Sequence, residues 1–222
     1  MMKTRKTRPW MMLPCSVALL CVATGTAWAQ AANSVDSGWI LSKLAQPTPM
    51  RTNFVEVRSS RLLKNPLRLY GEYRRPDDKT MIRDVRAPYG ETTTIRGDQV
   101  TIARAAKSPR TFSMSRAPQL AGMQASFGAL LSGDERAIAR DFTLTTTGTR
   151  AQWRMQMLPK QAALKQYVRD ITLYGRGSEL RCIETRAVKG EEVQRTLLAS
   201  AARSVTAATT LDKLVMLCQQ GS

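Results

Sequence analysis

Leu67, Leu69, Gly71 and Tyr73 alternate along the chain with Arg68, Tyr70, Glu72 and Arg74. This is the period-two pattern of a β-strand with one apolar and one polar face. Further short runs read the same way: Phe54 to Leu63, Thr80 to Ala87, Glu91 to Ile95, Gln99 to Ala103 and Arg110 to Ser115, then Phe142 to Thr147, Gln152 to Leu158, Tyr167 to Tyr174, Leu180 to Val188 and Val193 to Ala199. Turn-forming residues punctuate them at Asn65-Pro66, Pro76-Asp77-Asp78, Pro88-Tyr89-Gly90, Gly97-Asp98 and Ser108-Pro109, and later at Gly148, Pro159, Gly175-Arg176-Gly177 and Gly190. The close succession of runs and turns predicts an antiparallel meander of about eleven strands.

Three stretches follow the helical period instead. Val35, Trp39, Ile40, Leu41 and Leu44 form an apolar stripe that Gln46-Pro47 and Pro49 stop. Leu120, Met123, Phe127, Leu130 and Leu131 form a second, with Pro118 suited to its start and Gly133 to its end. Leu211, Leu214, Val215 and Cys218 form a third at the C-terminus. A polar Ala/Thr/Ser stretch, Ala199 to Thr210, precedes the last, and no internal repeat or low-complexity linker is present. So many antiparallel strands in one domain favour a strongly curved sheet or incomplete barrel, because a long open sheet leaves edges and an apolar face uncovered. A helix filling such a half-barrel is either permanent core or a movable cover over a cavity. Outside the second stripe, that helix carries mostly Ala, Gly, Ser and Gln, so it can lie close to other backbone.

Charge and composition narrow the chemistry. Lys and Arg number 34 against 17 Asp and Glu, a formal charge of +17, while 43% of residues are hydrophobic, which excludes a disordered basic tail as the main body. The sequence has no histidine, so Ser-His and Cys-His nucleophile pairs, histidine bases and imidazole metal sites are excluded. No cofactor is expected. Lys3, Arg5, Lys6 and Arg8, the apolar run from Trp10 to Ala23 and the small residues of Ala27-Trp28-Ala29 read as a secretory leader over residues 1–29, cleaved after Ala29. The run is short for a membrane span of about 20 residues. The remaining domain, residues 30–222, keeps two cysteines, Cys182 and Cys218, in a compartment where disulfides persist. They are read as a bridge tying the C-terminal segment to a strand, with two buried thiols as the alternative.

The order of these elements, with several short motifs, resembles the outer-membrane lipoprotein carrier (LolA) family of Gram-negative bacteria. The motifs are Leu69-Tyr70-Gly71-Glu72-Tyr73-Arg74-Arg75-Pro76, similar to the family's Gly-containing strand running into an Arg-Pro turn, and the hairpin Thr94-Ile95-Arg96-Gly97-Asp98-Gln99-Val100-Thr101-Ile102. Trp153 to Leu158, Pro159-Lys160, Leu164-Lys165, Ile171 and the Gly175 turn resemble the back half of the fold, so the likeness spans Val35 to Ala199. Lys79, Thr80 and Met81 stand where the family has aromatic positions, and Val100 to Ile102 replace its Trp-Tyr pair, which points to a LolA-like subgroup. The resemblance implies a mainly β fold with some α, an unclosed antiparallel barrel with a helical lid, an apolar cavity for acyl chains and no catalysis. It also implies that Arg75, the Arg before Pro, helps latch the lid.

On that basis the cavity and lid are expected to comprise Leu69, Tyr73, Met81, Phe112, Met114, Trp153 and Met155 from the strands, with Leu120, Met123, Phe127, Leu130 and Leu131 from the helix. Unbranched Met side chains, Met157 among them, suit a wall that adapts to its occupant, although each read singly fits ordinary core. The expected function is a non-catalytic periplasmic carrier, monomeric, taking acylated lipoprotein or lipid from an inner-membrane donor complex to an outer-membrane acceptor. The passenger is left open among lipoprotein, phospholipid and polyene lipid, and an envelope sensor on the same scaffold is the alternative function. Arg58, Arg61, Arg68, Arg74, Arg75, Arg83 and Arg86 read either as a headgroup-docking face or as solvated surface. Nucleic-acid binding is disfavoured by an aromatic content of 6% and the absence of a recognised motif. Asp77-Asp78 and Glu191-Glu192 read as turn residues rather than a catalytic pair.

Overall fold

The computed structural model describes residues 34–59, 65–116, 130, 133–189 and 192–220. The leader with Ala29, and the predicted 118–133 helix with Leu120, Met123, Phe127 and Leu131, lie outside the described residues; Leu130 and Gly133 lie inside. Helix α1 (Ser37–Leu44) begins where Asp36 accepts the Trp39 backbone N–H at 2.8 Å. It is followed by β1 (Met50–Ser59), β2 (Leu67–Asp77), β3 (Thr80–Ala87), β4 (Glu91–Arg96), β5 (Gln99–Arg104) and β6 (Lys107–Ser113). Helix α2 (Glu135–Asp141) leads into β7 (Phe142–Gly148) and β8 (Trp153–Pro159), and α3 (Ala162–Lys165) into β9 (Val168–Arg176), β10 (Glu179–Ala187) and β11 (Val193–Leu198). Helices α4 (Ala199–Arg203) and α5 (Leu211–Gln219) finish the described chain.

The strands form one antiparallel sheet in the order β6-β5-β4-β3-β2-β1-β11-β10-β9-β8-β7. The two halves of the meander meet where β1 pairs with β11, Phe54 opposite Leu198 and Glu56 opposite Thr196. β6 and β7 end the order without pairing, so the sheet is an unclosed barrel, mainly β with few helices, as the alternation implies.

The inner face, which carries α1, is filled unevenly. Over β7, β8 and β9, Ile40, Leu41 and Leu44 of α1 pack with Phe142, Trp153, Met155 and Met157, together with Leu130, Ile138 and Leu164. Each fully buried aliphatic side chain there contributes about 1.5–3 kcal/mol. Nearer the middle, Phe54, Leu69, Val85 and Leu198 form a smaller cluster. Two glycines make close approaches possible. A Cβ on Gly71 would lie 2.7 Å from the Phe54 ring and 2.1 Å from the Asp84 carbonyl oxygen, and one on Gly175 would lie 2.0 Å from the Trp153 indole.

The opposite face departs from the simple polar reading. Val55, Val57, Tyr174, Cys182 and Leu197 are covered there by Ala201 and Ala202 of α4 and by Leu214, Leu217 and Cys218 of α5, with Tyr70 against the same cluster. Glu72, on the side of β2 read as wet, is buried and paired with Arg86 at 3.0 Å. Cys182 and Cys218 form a disulfide joining β10 to α5, with Cα atoms 5.0 Å apart. Three short helices, α2, α3 and α4, lie outside the three stretches read as helical. Met114 follows the end of β6 in a 3₁₀ turn, Met114–Arg116, rather than lying in the strand as expected.

Candidate functional site

Between the α1-filled end and β5 the inner face holds a cavity of about 360 Å³. Tyr73, Met81, Ile95 and Ile102 wall it from β2 to β5, Met157, Ile171, Leu173 and Ile183 from β8 to β10, and Leu130 adjoins it from the short described piece between β6 and α2. The period-two registers place these side chains together: Met81 lies opposite Ile95, Met157 opposite Ile171, and Leu173 opposite Ile183. Thr93, Thr185, Gln194 and Thr196 supply a few hydroxyl and amide groups.

One wall is ionic. Glu56, 1% exposed, accepts from Arg58 at 2.5 Å and from Arg83 at 2.9 Å. Arg83, 17% exposed, also lies 3.9 Å from Glu91, which Arg104 reaches at 2.6 Å. A row Arg58–Glu56–Arg83–Glu91–Arg104 therefore crosses β1, β3, β4 and β5. The Arg83 guanidinium sits 5.0 Å from the centre of the Phe54 ring, and the Tyr73 ring lies 4.6 Å from that centre. Burial lowers the tendency of Arg83 to stay charged, but Glu56 and Tyr73 outweigh it and its pKa is raised.

Burial, reinforced by the Glu56 charge, pushes the Tyr73 phenol up to about 12 from 10.0. The unfolded chain thus releases this proton near pH 10 while the folded chain holds it until about 12, so stability is fully present below 10 and falls as pH rises across that window. Denaturant titrations at both ends of the window are expected to show Tyr73→Phe losing about 2 kcal/mol less than the parent. Equal losses would place the phenol in water.

The expected site residues separate in space. Tyr73, Met81 and Leu130 line the cavity. Leu69, Trp153 and Met155 are fully buried in the neighbouring clusters, the Trp153 indole N–H donating to the Gly177 carbonyl at 2.9 Å. Phe112 lines a second pocket beside β5 and β6, and Met114 is buried at the end of β6. Arg75 is buried and donates to the Gln46 carbonyl at 3.0 Å and to Asp78 at 2.7 Å, holding the segment that leaves α1 against the β2–β3 turn. Asp77 accepts the Lys79 backbone N–H, which, with the Thr80 hydroxyl, holds its carboxyl below the usual range. Asp77 is the last residue of β2 and Asp78 lies in the turn that follows. Glu56, Arg83, Glu91, Ile171, Leu173 and Ile183 were not among the expected site residues. Among the described residues no group of three or more His, Cys, Asp or Glu is placed to hold a metal ion, and no helix is long and apolar enough to cross a membrane.

Solved structures with a similar fold include the LolA superfamily protein NE2245 from Nitrosomonas europaea, 12% identical over 75% of this chain and 93% of that one, TM-score 0.41. LprF from Mycobacterium bovis is 11% identical over 79% and 97%, TM-score 0.36. The Pseudomonas aeruginosa MucA/MucB complex contains a chain 14% identical over 74% and 56%, TM-score 0.39. No curated protein matches the sequence. The family model described as outer membrane lipoprotein carrier protein LolA-like matches residues 29–221. With nearly the whole domain matched and an unclosed eleven-stranded sheet carrying it, the chain belongs to the LolA-like outer membrane lipoprotein carrier family.

Proposed function

We propose that this protein is a non-catalytic carrier that shields the acyl chain of a lipoprotein or lipid in the inner-face cavity during transfer between membranes. The observation that carries the proposal is the apolar wall formed by Met81, Ile95, Met157, Ile171, Leu173 and Ile183 from both halves of the sheet. Each methylene moved from water into such a wall contributes about 0.8 kcal/mol, so one chain gains affinity without covalent chemistry. The methionines adapt to chains of differing length and kink.

In this proposal the stretch 118–133, which the sequence pattern predicts as a helix, serves as the cover, with Leu130 at the cavity wall and Arg75 the latch, acting through the segment that leaves α1. Cover and cargo compete for the same apolar wall, which keeps binding reversible. The leader pattern of residues 1–29 and the Cys182–Cys218 bond support a periplasmic setting, with loading from an inner-membrane donor and delivery to an outer-membrane acceptor.

Ile95→Asp tests the proposal. A carboxylate introduced into the wall meets the desolvation cost of a charge beside an apolar chain, so a fluorescent fatty acid is expected to bind about tenfold more weakly, or less tightly still. Unchanged affinity in a folded variant would remove the cavity from the binding site.

A further inference from the structure

Beside the cavity, on the β5–β6 hairpin, lies a second pocket of about 370 Å³ lined by Ile102, Arg104, Lys107, Ser108, Arg110 and Phe112. Three of its six lining residues are cationic and none is acidic. Ile102 belongs to both walls, so the apolar cavity and the basic pocket adjoin at that side chain.

The cations are only partly compensated. Arg104 spends its charge on Glu91 at 2.6 Å. Lys107 lies opposite Arg104 across the hairpin, and Arg110 opposite Ile102 beyond a shift in register. Like charges facing each other across a ladder are destabilising, yet neither Lys107 nor Arg110 has an ion pair or side-chain hydrogen bond with a described residue. The row on the cavity wall, which ends at the same Arg104, has one cation in excess, three guanidiniums to two carboxylates, since Glu56 and Glu91 are each shared between two arginines. An anion placed at the hairpin removes this repulsion through charge-assisted hydrogen bonds.

We propose, building on the carrier reading, that the cargo is an anionic amphiphile whose phosphate headgroup sits against Lys107, Arg110 and Ser108 while its chain passes Ile102 into the cavity. The basic pocket thereby selects the class of lipid, and the apolar cavity supplies most of the affinity. Oxygen atoms of a phosphate accept from Lys and Arg at one end, and the hydrocarbon meets Ile102 and Phe112 as it leaves the pocket.

The test compares two single-chain probes with the same acyl group, lysophosphatidylglycerol and lysophosphatidylcholine, with inorganic phosphate alone as a third arm. The anionic lipid is expected to bind about tenfold more tightly than the zwitterionic one at low salt, with the gap narrowing as salt is raised. Lys107→Glu with Arg110→Glu is expected to close the gap, weakening the anionic lipid more than the zwitterionic one, and the milder Lys107→Gln with Arg110→Gln to narrow it. Both side chains are exposed, so the fold should tolerate either pair. Equal binding of the two lipids, or a gap that survives charge reversal, would overturn the headgroup assignment and leave the carrier reading standing. Inorganic phosphate binding as tightly as the anionic lipid would make the pocket a free-phosphate site and overturn the amphiphile proposal. Failure of both lipids to bind would remove the carrier reading together with the headgroup site.

Discussion

Glu56→Ala is expected to lower the free energy of unfolding by about 3 kcal/mol, read from denaturant titration at neutral pH. Glu56 is buried, and its loss leaves Arg83 in a largely desolvated site, beside the Phe54 ring and Tyr73, with a carboxylate only at the longer 3.9 Å distance of Glu91. The loss is at the low end for a broken buried pair because Arg58, the other partner, is 45% exposed and rehydrates at little cost. Glu56→Met with Arg83→Met removes both charges and fills the space with hydrocarbon, and it is expected to recover most of the loss. A Glu56→Ala cost well under 1 kcal/mol would mean that water reaches the row freely and that the ionic wall is a surface feature.

Removing the covalent tie should cost about as much. Cys182→Ala with Cys218→Ala opens a loop of 36 residues, for which the chain-entropy account gives about 3–4 kcal/mol. In a domain of this size that corresponds to a fall in Tm of roughly 10 °C. The bond holds α5 to β10 on the face opposite the cavity, so local opening is expected first in α5, with amide exchange accelerated over Leu211–Gln219. Acyl-chain binding well below the new Tm should change little, because the cavity wall and the disulfide lie on different sides of the sheet. A variant that keeps its Tm would show that α5 is held by Leu214 and Leu217 alone.

The strands were the most legible part of the sequence. Leu67 to Tyr73 alternates so regularly that its inner and outer sides follow from the pattern, and Gly71 fits because Phe54 crosses it in the next strand. The three short helices were not legible. Seven residues or fewer give two turns at most, too few to display a period of 3.6, and Ala199 to Ala202 are small residues without an apolar stripe. The covered outer face escaped notice for a different reason. Val55 and Val57 flank Glu56, and an apolar-acid-apolar triplet reads as one buried and one wet side, whereas here both sides are buried.

The candidate site divides along the same line. Tyr73 and Met81 could be placed in the cavity because alternation fixes their side of the sheet, and Leu130 because it lies on the helical stripe. Glu56, Arg83 and Glu91 could not, since ion pairs form between strands distant in sequence. Arg83 stood among surface cations only because its acid lies 27 residues upstream. Trp153 and Met155 face inward as their strand requires, but α1 fills that end of the sheet, and nothing local says which end a helix will fill.

The most direct measurement is mass spectrometry of what leaves the purified protein on organic extraction, after expression with residues 1–29 in a Gram-negative host. The account predicts a co-purified acyl-bearing molecule in near-stoichiometric amount, reduced in Ile95→Asp. A protein that emerges free of lipid, and that takes up neither a fatty acid nor a single-chain phospholipid on titration, would contradict it.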